Sequence, residues 1–366
     1  MNDIRIEPTA RPDALDLLPL DGADVLRTLE LCRDLVAPAL REAVSGLPPD
    51  IGRAVEYTLG WRSVEGLPQQ AGGKALRPAL ALLAAQAVGA PPRSAVPAAV
   101  AVELVHVFSL VHDDIMDGDE QRRHRPSVWK AYGVGPAVLV GDALLALALD
   151  SLARATSGRI GAAALTFLSS SLVELVAGQA EDISFEDRPW TGQRAVTVAE
   201  YNAMADRKTA SLLGCASGLG ALLGGADAAQ VAELTLVGRH LGRAFQASDD
   251  LLGIWGDPDV TGKPVFNDLR QGKKTLPVIA ALGSAAPAAR LLAALLGSGE
   301  GPGVSDEQDL RDAAELIAAA GGRSFAAEAA ARHLEQATRI ITGTAVESGA
   351  ANALAAIGRF AVHRSH

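Results

Sequence analysis

Two clusters of acidic residues lie far apart in the chain, and each stands in an otherwise apolar stretch. The first is HDDIMDGDEQRRHR (residues 112–125) and the second is SDDLLGIWGDPDVTGK (residues 248–263). Carboxylates in apolar surroundings require a cation to neutralise them. Mg²⁺ binds oxygen ligands, usually one or two carboxylates together with phosphate oxygens. The two clusters, each followed by basic residues, therefore predict a site that holds several Mg²⁺ ions and a diphosphate.

The spacing within the clusters indicates which carboxylates face the same way. In a helix, Asp113 and Asp117 lie about 40° apart around the axis, whereas Asp114 is offset from Asp113 by about 100°. Asp249 and Asp250 repeat the adjacent pair. Either pair alone is more often a solvated helix end than a metal site. Two matched clusters favour the metal site.

The apolar pattern predicts a single large helical domain. Apolar residues make up 49% of the chain and aromatic residues only 4%, which suits closely packed helices. Runs of alternating β-branched residues are absent, so there is little material for a sheet. We expect an all-α, multi-helix bundle over residues 21–366. Residues 1–20 contain several prolines and are expected to be a flexible segment outside the fold.

Helical periodicity begins near Asp21 and continues almost to the end of the chain. One amphipathic helix is expected over 21–44, and Pro78 is expected to open another at a tolerated first-turn position. The remaining expected helices are 95–117, 136–155, 159–182, 198–223, 227–254, 274–283, 286–297, 306–320, 323–347 and 350–362.

Charge and composition limit the classes of partner. The net charge of −10 argues against nucleic acid, whereas basic residues concentrated at 121–125 and 272–274 suit a small polyanion. Cys32 and Cys215 form no metal or disulfide pattern and indicate a reducing compartment. The N-terminus lacks the apolar core of a signal peptide, and the apolar runs are short or interrupted. We expect no membrane span and a cytoplasmic location.

Five motifs in order make a family resemblance visible. They are GGKALRP (72–78), ELVHVFSLVHDDIMDGDEQRR (103–123), DRKTA (206–210), FQASDDLLGIWGDPDVTGKP (245–264) and GKKTLP (272–277). Together they resemble the trans-isoprenyl diphosphate synthases, or polyprenyl synthetases, and their pattern is closest to the bacterial geranylgeranyl diphosphate synthases. The resemblance implies a deep central cavity in the bundle, a homodimer, and three Mg²⁺ ions per active site. It also implies that an allylic diphosphate (dimethylallyl, geranyl or farnesyl) is condensed with isopentenyl diphosphate.

The same resemblance assigns roles to individual residues. The metal ligands would be Asp113, Asp114 and Asp117 on the first cluster and Asp249 and Asp250 on the second. The allylic diphosphate would be held by Lys208, Lys263 and Arg122, and isopentenyl diphosphate by Lys74, Arg77, His106 and Arg123. Two polar groups would lie beside the reacting allylic carbon, Thr209 and Gln246. A further cation would stand at the mouth, Lys273.

Product length is predicted from the helix below the first cluster. Ser109 lies one turn below Asp113 and is too small to obstruct a chain, whereas Phe108 is the first bulky side chain there. In the family, an aromatic residue at that place, without an insertion in the Asp motif, usually accompanies a twenty-carbon product. We therefore expect geranylgeranyl diphosphate, with a farnesyl or geranyl diphosphate synthase as the alternative. The second cluster has Gly253 where a fifth-position acid would stand, a departure that many family members tolerate.

Two other classes of function remain open. A class I terpene cyclase also uses Asp-rich sites in an all-α fold, but its usual second metal motif is not visible near 245–275. Arg122 and Arg123, with GGKALRP, favour a second diphosphate that a cyclase does not need. A non-catalytic subunit or compartment cargo is the other alternative, with residues 1–20 docking to a partner. The intact set of site residues argues against it.

Overall fold

The computed structural model describes residues 25–69, 75–258, 264–297, 304, 306–344 and 346–362. Over these residues the protein is a bundle of α-helices with one two-stranded hairpin. The prediction of an all-α fold is therefore confirmed. The predicted flexible segment 1–20 and two predicted ligands, Lys74 and Lys263, lie outside the described residues.

The helices in chain order are α1 (Val25–Ser45), α2 (Pro49–Thr58), α3 (Leu76–Ala87), α4 (Val96–Met116), α5 (Val128–Tyr132), α6 (Val134–Ala155), α7 (Gly158–Glu186), α8 (Val198–Ala205), α9 (Ser211–Leu223), α10 (Ala228–Trp255), α11 (Asn267–Arg270), α12 (Leu276–Leu282), α13 (Pro287–Leu296), α14 (Glu307–Ala319), α15 (Gly322–Gly343) and α16 (Ser348–Val362). A 3₁₀ turn, Pro92–Ala95, precedes α4, and a π-helical turn, Asp206–Ala210, joins α8 to α9. The hairpin strands are β1 (Gln121–Arg122) and β2 (Arg125–Pro126), paired antiparallel.

Most expected helices agree with the structure to within a few residues, and the differences have local causes. The helix expected to open at Pro78 begins at Leu76, with Pro78 still in its first turn, where a missing N–H costs no hydrogen bond. The single helix expected over 198–223 is interrupted at Asp206–Ala210 by the π-helical turn. Apolar periodicity does not reveal one extra residue in a turn. Helices α2, α5 and α11 were not predicted.

The core brings α4 and α10 together through α9. Helix α4 packs on α3, α6 and α9, while α10 packs on α9 and α15. Glycines allow the closest of these approaches: a Cβ at Gly220 on α9 would overlap the Ala81 carbonyl oxygen of α3, and one at Gly238 on α10 would overlap the Leu213 carbonyl oxygen of α9. Such backbone-to-backbone packing directs the C-terminal ends of α4 and α10 to a common cavity.

Three helical stretches are long and apolar enough, by length and composition, to cross a membrane: Pro92–Met116, Val134–Ala155 and Gly158–Glu186. The runs that the sequence analysis treated as interrupted thus reach this length, because isolated polar residues leave the mean hydropathy of these helices at 1.7 to 1.8. Their surroundings in the bundle differ. Within the fold, 61% of the apolar part of the first stretch is buried, compared with 33% and 28% for the others. Helix α4 is thus a core helix, whereas α6 and α7 present apolar side chains outwards.

Candidate active site

A cavity of about 640 Å³ lies where α4, α7 and α10 meet the segment that follows α11. Both acidic clusters line it, together with cations and a smaller apolar part. The predicted site residues that line it are Arg77, His106, Ser109, Asp113, Asp117, Arg122, Arg123, Lys208, Thr209, Gln246, Asp249, Asp250 and Lys273.

On α4, the three aspartates of the first cluster separate into two groups. Asp113 and Asp117 line the cavity, as expected for residues one helical turn apart. Asp114 does not line it: only 2% of this residue is exposed, and its Oδ1 lies 2.7 Å from Arg122 Nε and 2.6 Å from Nη2. The metal-ligand role of Asp114 stays a prediction, and in the structure its carboxylate contacts Arg122. Its offset around the helix turns it to Arg122, which it holds at the cavity.

The first acidic cluster combines carboxylates, which suit a bound cation, with a nearby lysine, which suits a bound anion. Burial raises the pKa of Asp113 to about 6; Lys208 opposes this shift and Asp117 adds to it. Lys208 Nζ lies 2.5 Å from Asp182 Oδ2. Burial alone would lower the pKa of Lys208, but Asp182 and Asp113 raise it above its usual value. The lysine is thus a fixed positive charge beside carboxylates that a divalent cation would neutralise.

Asp250 on α10 is held from three directions. It is 3% exposed, and it accepts hydrogen bonds from the Tyr201 hydroxyl (2.5 Å), the Leu276 backbone N–H (2.8 Å) and Gln246 Nε2 (2.9 Å). Burial raises its pKa to about 7 although these bonds oppose the shift. The Thr209 hydroxyl donates to Gln246 Oε1 at 2.5 Å. Asp250 therefore fixes Gln246, and through it Thr209, at the cavity wall.

The π-helical turn accounts for the placement of Lys208 and Thr209 side by side on the cavity. It can form there because α7 has a glycine opposite: a Cβ at Gly178 would overlap the Lys208 backbone nitrogen. π-Helical turns inside helices are frequent at functional sites. The turn aims both a cation and a hydroxyl inwards from one short segment.

The segment after α11 contacts the first acidic cluster and the end of α7. Lys273 Nζ lies 2.9 Å from Asp117 Oδ1 and 2.9 Å from Glu186 Oε1. Gln271 Nε2 donates to Asp119 Oδ1 at 2.8 Å. The predicted cation at the mouth thus bridges the end of α4 to the end of α7.

Lys274, the residue after the predicted cation Lys273, is buried. It is 6% exposed, and its Nζ lies 3.6 Å from the centroid of the Trp190 ring. Burial lowers its pKa to about 8, while Glu186 and Asp187 oppose the shift. A cation–π contact and two backbone carbonyls hold the charge in place of water.

Three of the predicted isopentenyl diphosphate ligands, Arg77, His106 and Arg123, form a second group on the same cavity. Burial lowers the pKa of His106 well below its usual value, and Arg77, Arg123 and Arg122 lower it further, so this histidine is neutral among arginines. Arg123 sits in the hairpin turn with a left-handed backbone, φ 52°, a conformation that costs a non-glycine residue about 1 kcal/mol or more. Such strain is common at ligand sites.

The predicted chain-length residues lie on different faces of α4. Ser109 lines the cavity, whereas Phe108 is not among the lining residues and packs edge-on against His112, with ring centroids 4.9 Å apart. Phe108 is 8% exposed. The apolar lining consists of Leu76, Leu110, Leu175, Met204 and Phe245. That Phe108 forms the floor for the chain stays a prediction.

Several lining residues were missed from the sequence: Glu103, Gln179, Asp182, Tyr201, Asp268 and Gln271. Asp182 had a usable signal, because GQAED (178–182) places an acid behind a glycine in an apolar helix. Asp268 had none. It stands in the polar stretch FNDLRQGKK, where an acid is ordinarily a solvated surface residue.

A family model described as Polyprenyl synthetase matches residues 67–317. The chain belongs to the polyprenyl synthetase family. It is therefore an enzyme, a prenyltransferase, which decides between the sequence alternatives against the cyclase and the non-catalytic subunit. The match includes both acidic clusters and all of the cations that line the cavity.

Similar proteins agree with this assignment and differ in product. The chain is 44% identical over 340 residues to the (2E,6E)-farnesyl diphosphate synthase of Mycobacterium tuberculosis strain H37Rv, covering 93% of each chain. It is also 44% identical over 324 residues to the geranylgeranyl diphosphate synthase of the same strain, covering 88% of this chain and 90% of that one. The crystal structure of a polyprenyl synthetase from Streptomyces coelicolor A3(2) superimposes with a TM-score of 0.84 at 44% identity, covering 93% of this chain and 100% of that chain.

Proposed function

We propose that this polyprenyl synthetase condenses isopentenyl diphosphate with an allylic diphosphate, in a Mg²⁺-dependent reaction that releases diphosphate. The observation that carries the proposal is the cavity itself. Asp113 and Asp117 line one side and Asp249 another, Lys208 and Lys273 stand with them, and apolar side chains line the remainder. This is a site for a polyanionic head group with a hydrocarbon tail.

The donor set suits Mg²⁺. The available ligands are carboxylate oxygens, the type Mg²⁺ prefers. No three His, Cys, Asp or Glu side chains among the described residues converge as a closed metal site, which fits an ion that completes its shell with diphosphate oxygens. When bound, Mg²⁺ supplies positive charge that stabilises diphosphate as a leaving group. Asp113, Asp117 and Asp249 would hold it.

Fixed cations and a neutral histidine of the chain hold the two substrates in different places. Lys208 and Arg122 lie beside the first acidic cluster and would bind the allylic diphosphate. Arg77, His106 and Arg123 would bind isopentenyl diphosphate. The allylic C–O bond breaks, the double bond of isopentenyl diphosphate forms the new C–C bond, and one proton leaves to the departing diphosphate. No protein base is needed in that balance.

Two features of the chain stabilise the allylic cation while it exists. The Thr209 hydroxyl and the Gln246 amide, hydrogen-bonded to each other, direct their dipoles at the cavity, and such preorganised dipoles cost no rearrangement during the reaction. Leu175, Met204 and Phe245 line its apolar part. They keep out the water that would quench the cation.

The proposed product is geranylgeranyl diphosphate, supported by a first Asp motif without insertion. Farnesyl diphosphate is the second candidate, favoured by the equal identity to a farnesyl diphosphate synthase. Incubation with isopentenyl diphosphate, Mg²⁺ and dimethylallyl, geranyl or farnesyl diphosphate in turn, followed by product chromatography, distinguishes them. A fifteen-carbon end product contradicts the first choice, and no elongation of any starter contradicts the proposed function. The variant Phe108→Ala tests whether Phe108 limits the length of the prenyl product. An unchanged product length would show that it does not.

A homodimer is proposed from the outward faces of α6 and α7. Large apolar side chains there are well exposed, among them Leu139 (54%), Val173 (71%) and Val176 (55%), and a second copy of the chain would cover them. Light scattering of the purified protein should give twice the chain mass, and Val173→Glu with Val176→Glu should give one chain mass. A monomeric wild-type protein would contradict the proposed homodimer.

We propose a cytoplasmic location for the enzyme.

A further inference from the structure

The carboxylate of Asp268 occupies the space that a fifth-position acid would need. Gly253 lies one helical turn after Asp249 on α10, so the two share a face. A Cβ placed on Gly253 would overlap the Asp268 Oδ2 and Cγ atoms and lie 2.9 Å from Oδ1. The gap in the DDLLG pattern is therefore filled by an acid from a different element.

Helix α11 is built to bring Asp268 to this place. The Phe266 backbone N–H donates to the Ile254 carbonyl, the residue next to Gly253, at 3.2 Å. Phe266 has a left-handed backbone, φ 61°, which is an outlier for a bulky side chain and is kept only where the surroundings impose it. Leu269 is buried in one cluster with Ile254. These contacts fix Asp268 against the last turns of α10.

The carboxylate of Asp250, in contrast, is engaged in hydrogen bonds within the protein. Its two oxygens accept three hydrogen bonds, from Tyr201, Leu276 and Gln246. Asp249 and Asp268 both line the cavity. The sequence pair Asp249–Asp250 is thus not the pair of carboxylates best placed for an ion.

We propose that Asp268 is the missing third acid of the second cluster and that, with Asp249, it holds a divalent cation against the substrate diphosphate. Asp250 is then a positioning residue for Gln246. This inference rests on the proposed function, because it assigns a residue to the metal site of that reaction.

The test measures Mg²⁺ binding to the full chain in the presence of methylenediphosphonate, a diphosphate analogue that cannot be cleaved. Calorimetry gives the half-saturating Mg²⁺ concentration, and electron paramagnetic resonance with Mn²⁺ counts the bound ions. Asp268→Asn should raise the half-saturating concentration about tenfold and remove one bound Mn²⁺. Glu233→Gln, an exposed acid on α10, is the matched control and should change neither value.

A swap separates a ligand role from a merely structural one. Gly253→Asp combined with Asp268→Ala moves the carboxylate to α10 and frees the space it needs, and should return Mg²⁺ binding to within about threefold of wild type. An unchanged midpoint in Asp268→Asn overturns the inference. So does a swap variant that has native circular dichroism and stays impaired. Failure of the wild type to elongate prenyl chains would instead count against the proposed function.

Discussion

The acidic wall on α4 and the acidic wall on α10 present their carboxylates to the cavity in different ways. On α4, Asp113 and Asp117 come from successive turns of one helix, and the middle acid holds an arginine. On α10, Asp249 is accompanied by Asp268 from α11, and the middle acid holds a glutamine. One wall is made by a single helix and the other by two elements.

The difference shows what the middle acid of each cluster does. Asp114 and Asp250 are the two most buried acids of the site, at 2% and 3% exposure, and each anchors a polar side chain that lines the cavity. An acid with several donors around it is costly to replace, since its partners remain buried without it. The two outer acids of each wall are left for cations.

The largest expected effect is the difference between the outer acid Asp113 and the middle acid Asp114 on α4. Asp113→Asn should lower kcat/KM about 10³-fold and raise the Mg²⁺ requirement, because a carboxylate facing the diphosphate is lost. Asp114→Asn should leave the Mg²⁺ midpoint within about threefold and raise the KM for the allylic substrate about tenfold through Arg122. Steady-state kinetics over a Mg²⁺ series checks both. Equal shifts in Mg²⁺ midpoint would contradict the distinction.

On α10, the outer acid Asp249 and the middle acid Asp250 should differ in the same way. Asp250→Asn should lower kcat about 10²-fold because Gln246 and Thr209 lose their anchor. It should also lower the free energy of unfolding by about 2 kcal/mol, since buried donors are left mismatched. Asp249→Asn should act mainly on Mg²⁺ binding. Urea unfolding and Mg²⁺ calorimetry measure the two effects, and a reversal of the pattern would remove Asp250 from its positioning role.

The contact of Lys273 with the α4 wall gives a smaller effect. Lys273 and Asp117 are 15% and 16% exposed at the side chain, so Lys273→Met leaves carboxylates half-buried and should lower the free energy of unfolding by about 2 kcal/mol. Lys130→Met removes an exposed pair with Glu120, at 47% and 60% exposure. It should cost less than about 0.5 kcal/mol. Similar losses in both variants would contradict the bridging role of Lys273.

The smallest effect concerns the rear of the α10 wall, where His240 Nδ1 lies 3.1 Å from His333 Nδ1 of α15. Burial lowers the pKa of His333 to about 4, with His240, Arg243 and Arg332 adding to the shift and Asp206 opposing it. The unfolded chain binds this proton more readily, so stability is full above about pH 6.5 and is lost as pH falls towards 4. Allowing for partial exposure, wild type should lose about 1 kcal/mol more than His333→Gln between pH 7 and pH 5. Parallel pH profiles of unfolding would contradict this.

The sequence predicted the all-α fold and about half of the cavity lining because those features follow from local patterns and ordered motifs. Helices follow from apolar periodicity, and Asp113, Asp117 and Asp249 follow from acids in apolar stretches. The missed features depend on contacts between distant parts of the chain. Asp268 reaches Gly253 only because α11 folds back on α10, and Lys208 is aimed by a π-helical turn that Gly178 on α7 permits. The spacing of residues within one helix does not predict contacts between separate elements.

The most direct test of the two-wall site changes one outer acid on each wall. Protein with Asp113→Ala and Asp249→Ala is incubated with isopentenyl diphosphate, farnesyl diphosphate and Mg²⁺, and chain elongation is followed by product chromatography. Native circular dichroism together with loss of detectable elongation is the predicted result. Elongation at the wild-type rate would show that neither carboxylate wall takes part in the reaction.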